Sequence, residues 1–201
     1  MNKKSARFIA ITLLFALGMM STAQAAVFCV TTAGQLQSVL NVADSNAQDD
    51  EIRIEEGSYT VPQGGSFIYS GGSSAGDDSD LVISGGWTTF GGNPCGRQLS
   101  NANAFATLLD GDDRERVLEI VAGNQTNITI SGISFTSGNP SGASIGGALY
   151  IRTNGSVSSG TVLIERSVFL SSTAEVASAV RISDSTTTRF IGNLVVGNNT
   201  F

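Results

Sequence analysis

Three short segments of this chain recur at one spacing. Arg116-Val117-Leu118-Glu119-Ile120, Gly147-Ala148-Leu149-Tyr150-Ile151 and Ser178-Ala179-Val180-Arg181-Ile182 superpose, which puts Leu118, Leu149 and Val180 31 residues apart each time. A period of about 20–50 residues marks units that bury their apolar faces only against their neighbours. Within each unit apolar residues alternate, at 118 and 120, 149 and 151, 180 and 182, as in a half-buried strand. A strand returning in the same direction at this interval, with no helical pattern between, implies an all-β chain wound as a parallel β-helix solenoid.

A second set of repeats supports the first. Ile128 to Phe135 aligns with Val162 to Phe169, and a third copy lies in Phe190-Ile191-Gly192-Asn193-Leu194-Val195-Val196. Either Phe190 or Val196 is expected in the place of Phe135 and Phe169. Inward Val, Ile, Leu and Phe would stack about 4.8 Å apart, the spacing of adjacent strands. Outward positions carry Thr, Ser, Glu and Arg. Corners are expected at Gly138-Asn139, Asn154-Gly155 and Gly197-Asn198-Asn199, where positive φ is tolerated. Upstream, Glu51–Glu55, Gly57–Val61, Ser66–Ser70 and Leu81–Ser84 read as strands. Gly71–Asp80 and Phe90–Leu99 read as loops. Thr107-Leu108-Leu109 reads as a strand ending in the turn Asp110-Gly111-Asp112-Asp113.

The two ends differ. Lys3, Lys4 and Arg7 precede a mostly apolar run from Phe8 to Met20, and Ala23-Gln24-Ala25 is a small-residue cleavage site. Residues 1–25 therefore read as a secretory signal peptide, cut between Ala25 and Ala26. The run is short against the ~20 residues needed to span a bilayer. Thr32-Ala33-Gly34-Gln35 fits a capping box, with Thr32 as N-cap and Gln35 reaching back. Leu36, Val39, Leu40 and Ala43 then form one apolar face, so an N-terminal amphipathic capping helix is expected. Residues 26–201 form one β-helix domain. Its last repeat runs to Phe201 without a polar or helical cap, so an incomplete domain is expected, with self-association through the open C-terminal coil as an alternative.

Charge narrows the partners. Without the leader the basic residues are eight Arg against 17 acidic residues, a net charge of −9, and the chain has no His. Such a chain repels polyanions, which excludes nucleic acid and anionic lipid and weighs against an acidic glycan unless a cation bridges. No later apolar segment is long enough to cross a membrane. Cys29 and Cys95 are the only cysteines. In an exported chain such a pair reads as a disulfide, two free thiols being the alternative. Closing that loop would stabilise the fold by roughly 4 kcal/mol.

Several of these segments resemble a known group. Gly146-Gly147-Ala148-Leu149 and Phe190-Ile191-Gly192-Asn193 are similar to the GGA-(aliphatic) and F-x-x-N repeats of polymorphic outer membrane proteins. More broadly, Thr31–Ala43 leading into Ile52–Val61 resembles the opening of bacterial right-handed β-helix proteins of the pectin-lyase-like superfamily. The resemblance implies a right-handed coil and a secreted, periplasmic or outer-membrane-associated cell-surface location in a bacterium. It also implies a role in adhesion.

Chemistry is sparse. Asp110, Asp112 and Asp113, beside Arg114 and Arg116, could form a calcium site with an Arg as base, the set β-helix polysaccharide lyases use. The alternative is an Asp-Gly turn with solvated charges. Asp77, Asp78 and Asp80 form a second acidic loop. Trp87 could stack on a sugar or simply pack. Glu119 aligns with Tyr150 and Arg181, a mixed outward stripe with no carboxylate pair of the kind glycosidases need. Without His, a Ser-His-Asp triad is excluded. The expected function is non-catalytic binding or adhesion, with a carbohydrate or a cell-surface protein as partner. The alternative is a polysaccharide lyase or glycoside hydrolase. No cofactor is implied beyond the calcium candidate.

Overall fold

The computed structural model describes residues 25–46, 48–71, 79–99, 103–123, 125–140, 145–153, 160–183 and 187–200. The leader up to Gln24, Asp77 and Asp78, and the Asn154-Gly155 corner lie outside the described residues. The described chain is all-β, its strands mostly parallel, with one α-helix.

The strands form three main sheets, visited in a fixed order, and a two-stranded one that pairs Thr173–Ala174 with Asn199–Thr200. The first sheet holds Ala26–Val30, Asp50–Glu55, Leu81–Phe90, Ile128–Ser131, Thr161–Glu165 and Thr187–Ile191. The second holds Gly57–Thr60, Thr107–Asp110, Ser134–Thr136, Val168–Leu170 and Leu194–Val196. The third holds Phe67–Tyr69, Leu118–Ala122, Leu149–Thr153 and Val180–Ser183. From Asp50 to Ser183 each circuit of the chain lays one of these strands in each of the three sheets, and the circuit from Thr187 adds to the first two. These strands pair in parallel with their counterparts in the neighbouring circuits.

Register stacks like on like. In the third sheet Phe67, Leu118, Leu149 and Val180 are direct partners, as are Tyr69, Ile120, Ile151 and Ile182. In the first, Phe28, Ile52, Ile83, Ile130, Ile164 and Phe190 form one file. In the second, Tyr59, Leu109, Phe135, Phe169 and Val195 form another. Most of these side chains are buried, and the four files form one core. Alternation in Asp50–Glu55 puts residues 50, 52 and 54 inside and 51, 53 and 55 partly out.

The second-sheet file corrects the expected register. Val195, not Phe190 or Val196, stands opposite Phe169. Phe190 is opposite Ile164, and its ring leans on Phe169 with centroids 5.8 Å apart. The strands keep their length while the corners do not. Consecutive second-sheet partners are 34 residues apart from Phe135 to Phe169 but 26 from Phe169 to Val195, so a fixed period misplaces the last copy.

Two corners repeat. One left-handed residue separates first-sheet from second-sheet strands: Gly132 (φ 65°), Arg166 (48°) and Gly192 (61°). Another follows the second-sheet strand: Ser137 (52°), Ser171 (47°) and Gly197 (66°). The Asn after each glycine of the last circuit bonds back to the circuit before. Asn193 Oδ1 accepts from Ser167 N (2.8 Å) and its Nδ2 donates to Ile164 O (2.8 Å). Asn198 does the same with Ser172 N and Phe169 O. Gly138 does not have the expected positive φ. It is small because a Cβ there would lie 2.0 Å from Gly147 O.

The Gly146-Gly147 pair enters the third sheet. Gly146 has φ 67°, and a Cβ on it would lie 2.8 Å from Leu149 O. One circuit later Ala177 keeps a positive φ of 55° without being glycine.

The N-terminal helix spans Ala33–Ala43 and buries Leu36, Leu40 and Ala43. Thr32 caps it, accepting from Gln35 N. Gln35 Oε1 reaches one residue further back than expected and accepts from Thr31 N (2.9 Å). On the exposed side, the Gln37 amide accepts from Ile68 N and donates to Ile68 O, at 2.9 and 3.0 Å. It thereby completes a rung on the edge strand of the third sheet. At the opposite end Phe190, Ile191, Leu194, Val195 and Val196 are each 43–50% exposed.

The segment expected as a loop at Phe90–Leu99 is instead half of an antiparallel hairpin. Asn93–Gln98 pairs with Leu81–Phe90 across Gly91 (φ 60°) and Gly92 (φ 82°). Two positive φ angles in a two-residue connection match the twist of paired strands.

Two stability predictions follow from the stacked core and the corner. Phe169 lies between Phe135 (centroids 5.0 Å) and Phe190, so Phe169→Ala should lose about 3–5 kcal/mol in urea unfolding. Gly146→Ala should lose about 1–2 kcal/mol or more, whereas Ala177→Gly should gain about 0.5 kcal/mol, because only the first forces a Cβ into a left-handed site. Equal losses from both corner changes would contradict the φ assignment.

Candidate functional site: the outer face of the third sheet

The third sheet turns a row of large polar side chains outward. Pairing lines up Ile68, Glu119, Tyr150 and Arg181, one per circuit. A second outward position beside it carries Arg152, in register with Val121 and Ser183. Strand pairing holds neighbours in such a row about 4.8 Å apart, within reach of long side chains.

Arg116 is delivered to this face by the corner that precedes Leu118. Its Nη2 donates to Ile145 O (2.6 Å) and its Nε to Gly146 O (3.0 Å). It also pairs with Glu119 and lies over the Tyr150 ring, 4.9 Å from the centroid. Arg152 approaches the other oxygen of Glu119, Nε to Oε1 at 3.6 Å, and keeps 41% of its side chain exposed. Arg181 is half-buried and, among the described residues, its side chain makes no hydrogen bond or ion pair. Both oxygens of Glu119 are thus engaged by two arginines, and a third stands beside the tyrosine. The aligned stripe Glu119–Tyr150–Arg181 was expected from the 31-residue spacing. The convergence of Arg116 and Arg152 on Glu119 was not, because it depends on side-chain reach across strands.

The Asp110 turn is built from its own groups. Asp110 Oδ1 accepts from Asp112 N (2.9 Å), and Asp112 pairs with Arg114. Asp112 and Asp113 both have positive φ, 55° and 53°. Asp113 N donates to Ser137 O and its carbonyl accepts from Asn139 Nδ2. Among the described residues these three carboxylates are not gathered into a ligand cluster. The trio whose ligand atoms do lie within 4.8 Å of one another is Cys29, Glu55 and Cys95. Its sulfurs are joined to each other in a disulfide. Of the second acidic loop, Asp80 lies within the described residues. Its carboxylate accepts from both Asn127 N and Asn127 Nδ2, each at 2.9 Å.

The disulfide ties the first strand to the hairpin arm. Glu55 supports it from the outward side of its strand, its Oε1 accepting from Cys95 N and Thr89 Oγ1, both at 2.8 Å. Beside it, Arg53 forms a bidentate pair with Glu51 (2.7 and 2.9 Å) and lies 4.3 Å from the Trp87 ring centroid. The hydrogen bond to Glu51 holds the Arg53 guanidinium above its ordinary pKa, against the desolvation of its site. Trp87 therefore has a guanidinium on one ring face, and its Nε1 donates to Ser84 Oγ (2.8 Å).

No helix among the described residues is long and apolar enough to cross a membrane. No protein-family model, curated protein or solved structure matches this chain.

Tyr59 gives this region a pH signature. Its hydroxyl donates to Glu55 O (3.0 Å), with Val30 O at 3.3 Å. Burial, and secondarily the Glu55 charge, push its pKa up to about 12. An unfolded tyrosine ionises near pH ~10. Stability from the protonated Tyr59 is therefore complete below about pH 10 and is lost as pH rises toward 12. The urea midpoint should fall more between pH ~9 and ~11.5 in the native chain than in Tyr59→Phe. A parallel fall in both would show that Tyr59 does not contribute.

Proposed function

We propose that this chain is a right-handed parallel β-helix, secreted or displayed at a bacterial surface, that binds a partner through an outward sheet face and carries out no catalysis. The three-sheet circuit supports the winding. Parallel strands joined through crossovers in one sheet are right-handed in about 98% of cases. The resemblance to pectin-lyase-like and polymorphic outer membrane proteins points the same way. Export rests on the leader pattern of residues 1–25 and on the disulfide, which suits an oxidising compartment.

One observation carries the absence of catalysis. Among the described residues, the outward row of the third sheet presents one carboxylate, Glu119, with both oxygens turned to arginines. A glycosidase needs two carboxyl groups about 5–10 Å apart. A lyase needs an unengaged base beside its substrate, within hydrogen-bond reach of the proton it removes. Here the carboxylate is spent on two arginines, an arrangement suited to presenting a fixed surface.

The test is incubation with polygalacturonate and with other acidic and neutral glycans, with and without calcium. No unsaturated product and no new reducing ends are expected over an extended incubation. Product formed by the native chain would replace this reading with a polysaccharide lyase or glycoside hydrolase.

A further inference from the structure

The chain is acidic overall, yet its positive charge is not evenly spread. Three of its arginines, Arg116, Arg152 and Arg181, gather on the outer face of the third sheet around one Glu and one Tyr. Counting these described groups, the face carries a net +2 on a domain of net −9. Resting on the binding reading above, we propose that this face is the docking site for an acidic segment of a protein partner, whose carboxylates are received by Arg152 and Arg181.

The geometry separates the roles of the three arginines. Arg116 is held by two backbone carbonyls, Glu119 and the Tyr150 ring. It is the positioning residue that fixes Glu119 and Tyr150 in place. Arg152 shares Glu119 at 3.6 Å, longer than a hydrogen bond, and is 41% exposed. A guanidinium has five donors in a fixed plane and can take an incoming carboxylate two-pronged while keeping its first partner. Arg181 stands one strand beyond Tyr150 and faces the same way. Tyr and Arg, with Trp, are the side chains most enriched where protein interfaces concentrate their binding energy.

The ring geometry favours a peptide over a sugar. Sugar recognition by stacking needs a bare aromatic face. Tyr150, Trp87 and Phe90 each carry a guanidinium over the ring, at 4.9, 4.3 and 4.8 Å.

The experiment uses the secreted domain with its disulfide intact and a short fluorescein-labelled polyglutamate peptide, read by fluorescence anisotropy. The native domain should bind it, with affinity falling as salt rises. Arg152→Gln with Arg181→Gln should weaken binding by about tenfold, the effect of two half-exposed charge pairs. Arg166→Gln removes a charge that pairs with Glu165 at a different corner, and should leave binding unchanged. Circular dichroism establishes that each variant is folded, and Arg181→Gln alone serves if the double variant is not. Absence of peptide binding by the native domain, or an equal loss in Arg166→Gln, overturns the proposal. So does tighter binding of an oligogalacturonate through the same two arginines, which would leave the binding reading standing with a glycan as its ligand. Failure of the binding reading itself would show separately, as product in the glycan assay.

Discussion

The structure depends on one constraint: each strand must pair in parallel with the strand one circuit away. Parallel ladders have evenly spaced, slanted bonds, and a slip of one residue turns every side chain to the opposite face. Register is therefore all-or-none along a file. Once Leu149 stands between Leu118 and Val180, Ile151 must stand between Ile120 and Ile182, and Tyr150 between Glu119 and Arg181. The first two files fill the interior, and the third produces the outer face. The proposed binding surface is thus a consequence of the same pairing that builds the core, which is why its row of polar side chains runs across the strands.

Backbone pairing alone leaves the corners unsatisfied, and side chains complete it there. Asp49 Oδ1 accepts from Asp80 N, Asp80 Oδ1 from Asn127 N, and Asn127 Oδ1 from Thr161 N, in one file of four circuits at the entry to the first sheet. Asn193 and Asn198 play the same part at the two later corners. Gln37 does it at the N-terminal edge. Short amides and carboxylates suit this work because they imitate the peptide group that the next strand would supply. This gives a physical reason for an Asn following the glycine in Phe190-Ile191-Gly192-Asn193: Gly192 takes the left-handed turn and Asn193 stitches that turn to the previous circuit.

What could be read from the sequence followed from equal spacing. The third-sheet files were legible because the connections between Leu118, Leu149 and Val180 are equal in length. The second-sheet file was legible at Phe135 and Phe169 but not at Val195, since the last circuit is shorter than the one before. The helix was legible from its cap and apolar face, and the disulfide from there being only two cysteines. The hairpin was missed because Gly91-Gly92 was read as part of a loop, although an apolar–Gly–Gly–Asn junction is a recognised two-residue turn signal. On the candidate face, the alignment of Glu119, Tyr150 and Arg181 was legible. The contributions of Arg116 and Arg152 were not, since a corner arginine and a neighbouring outward position reveal their common target only when the chain is wound.

The charge pattern follows from this winding. A large negative net charge keeps an elongated sheet surface from pairing with its neighbours, through repulsion that acts on every copy alike. A local cationic face works against that repulsion unless its charges are contained. Here Glu119 contains them in part: it engages Arg116 and Arg152 and leaves Arg181 beside Tyr150. The result is a face that attracts carboxylates within the Debye length of roughly 8 Å, on a domain whose net charge is negative. Such a surface slows encounter with an acidic partner and favours it only after contact, so selectivity must reside in the dissociation rate and in the match between guanidinium forks and carboxylates. The rigid register of the third sheet supplies that match, because the separation of Arg152 and Arg181 is set by strand pairing and not by a loop.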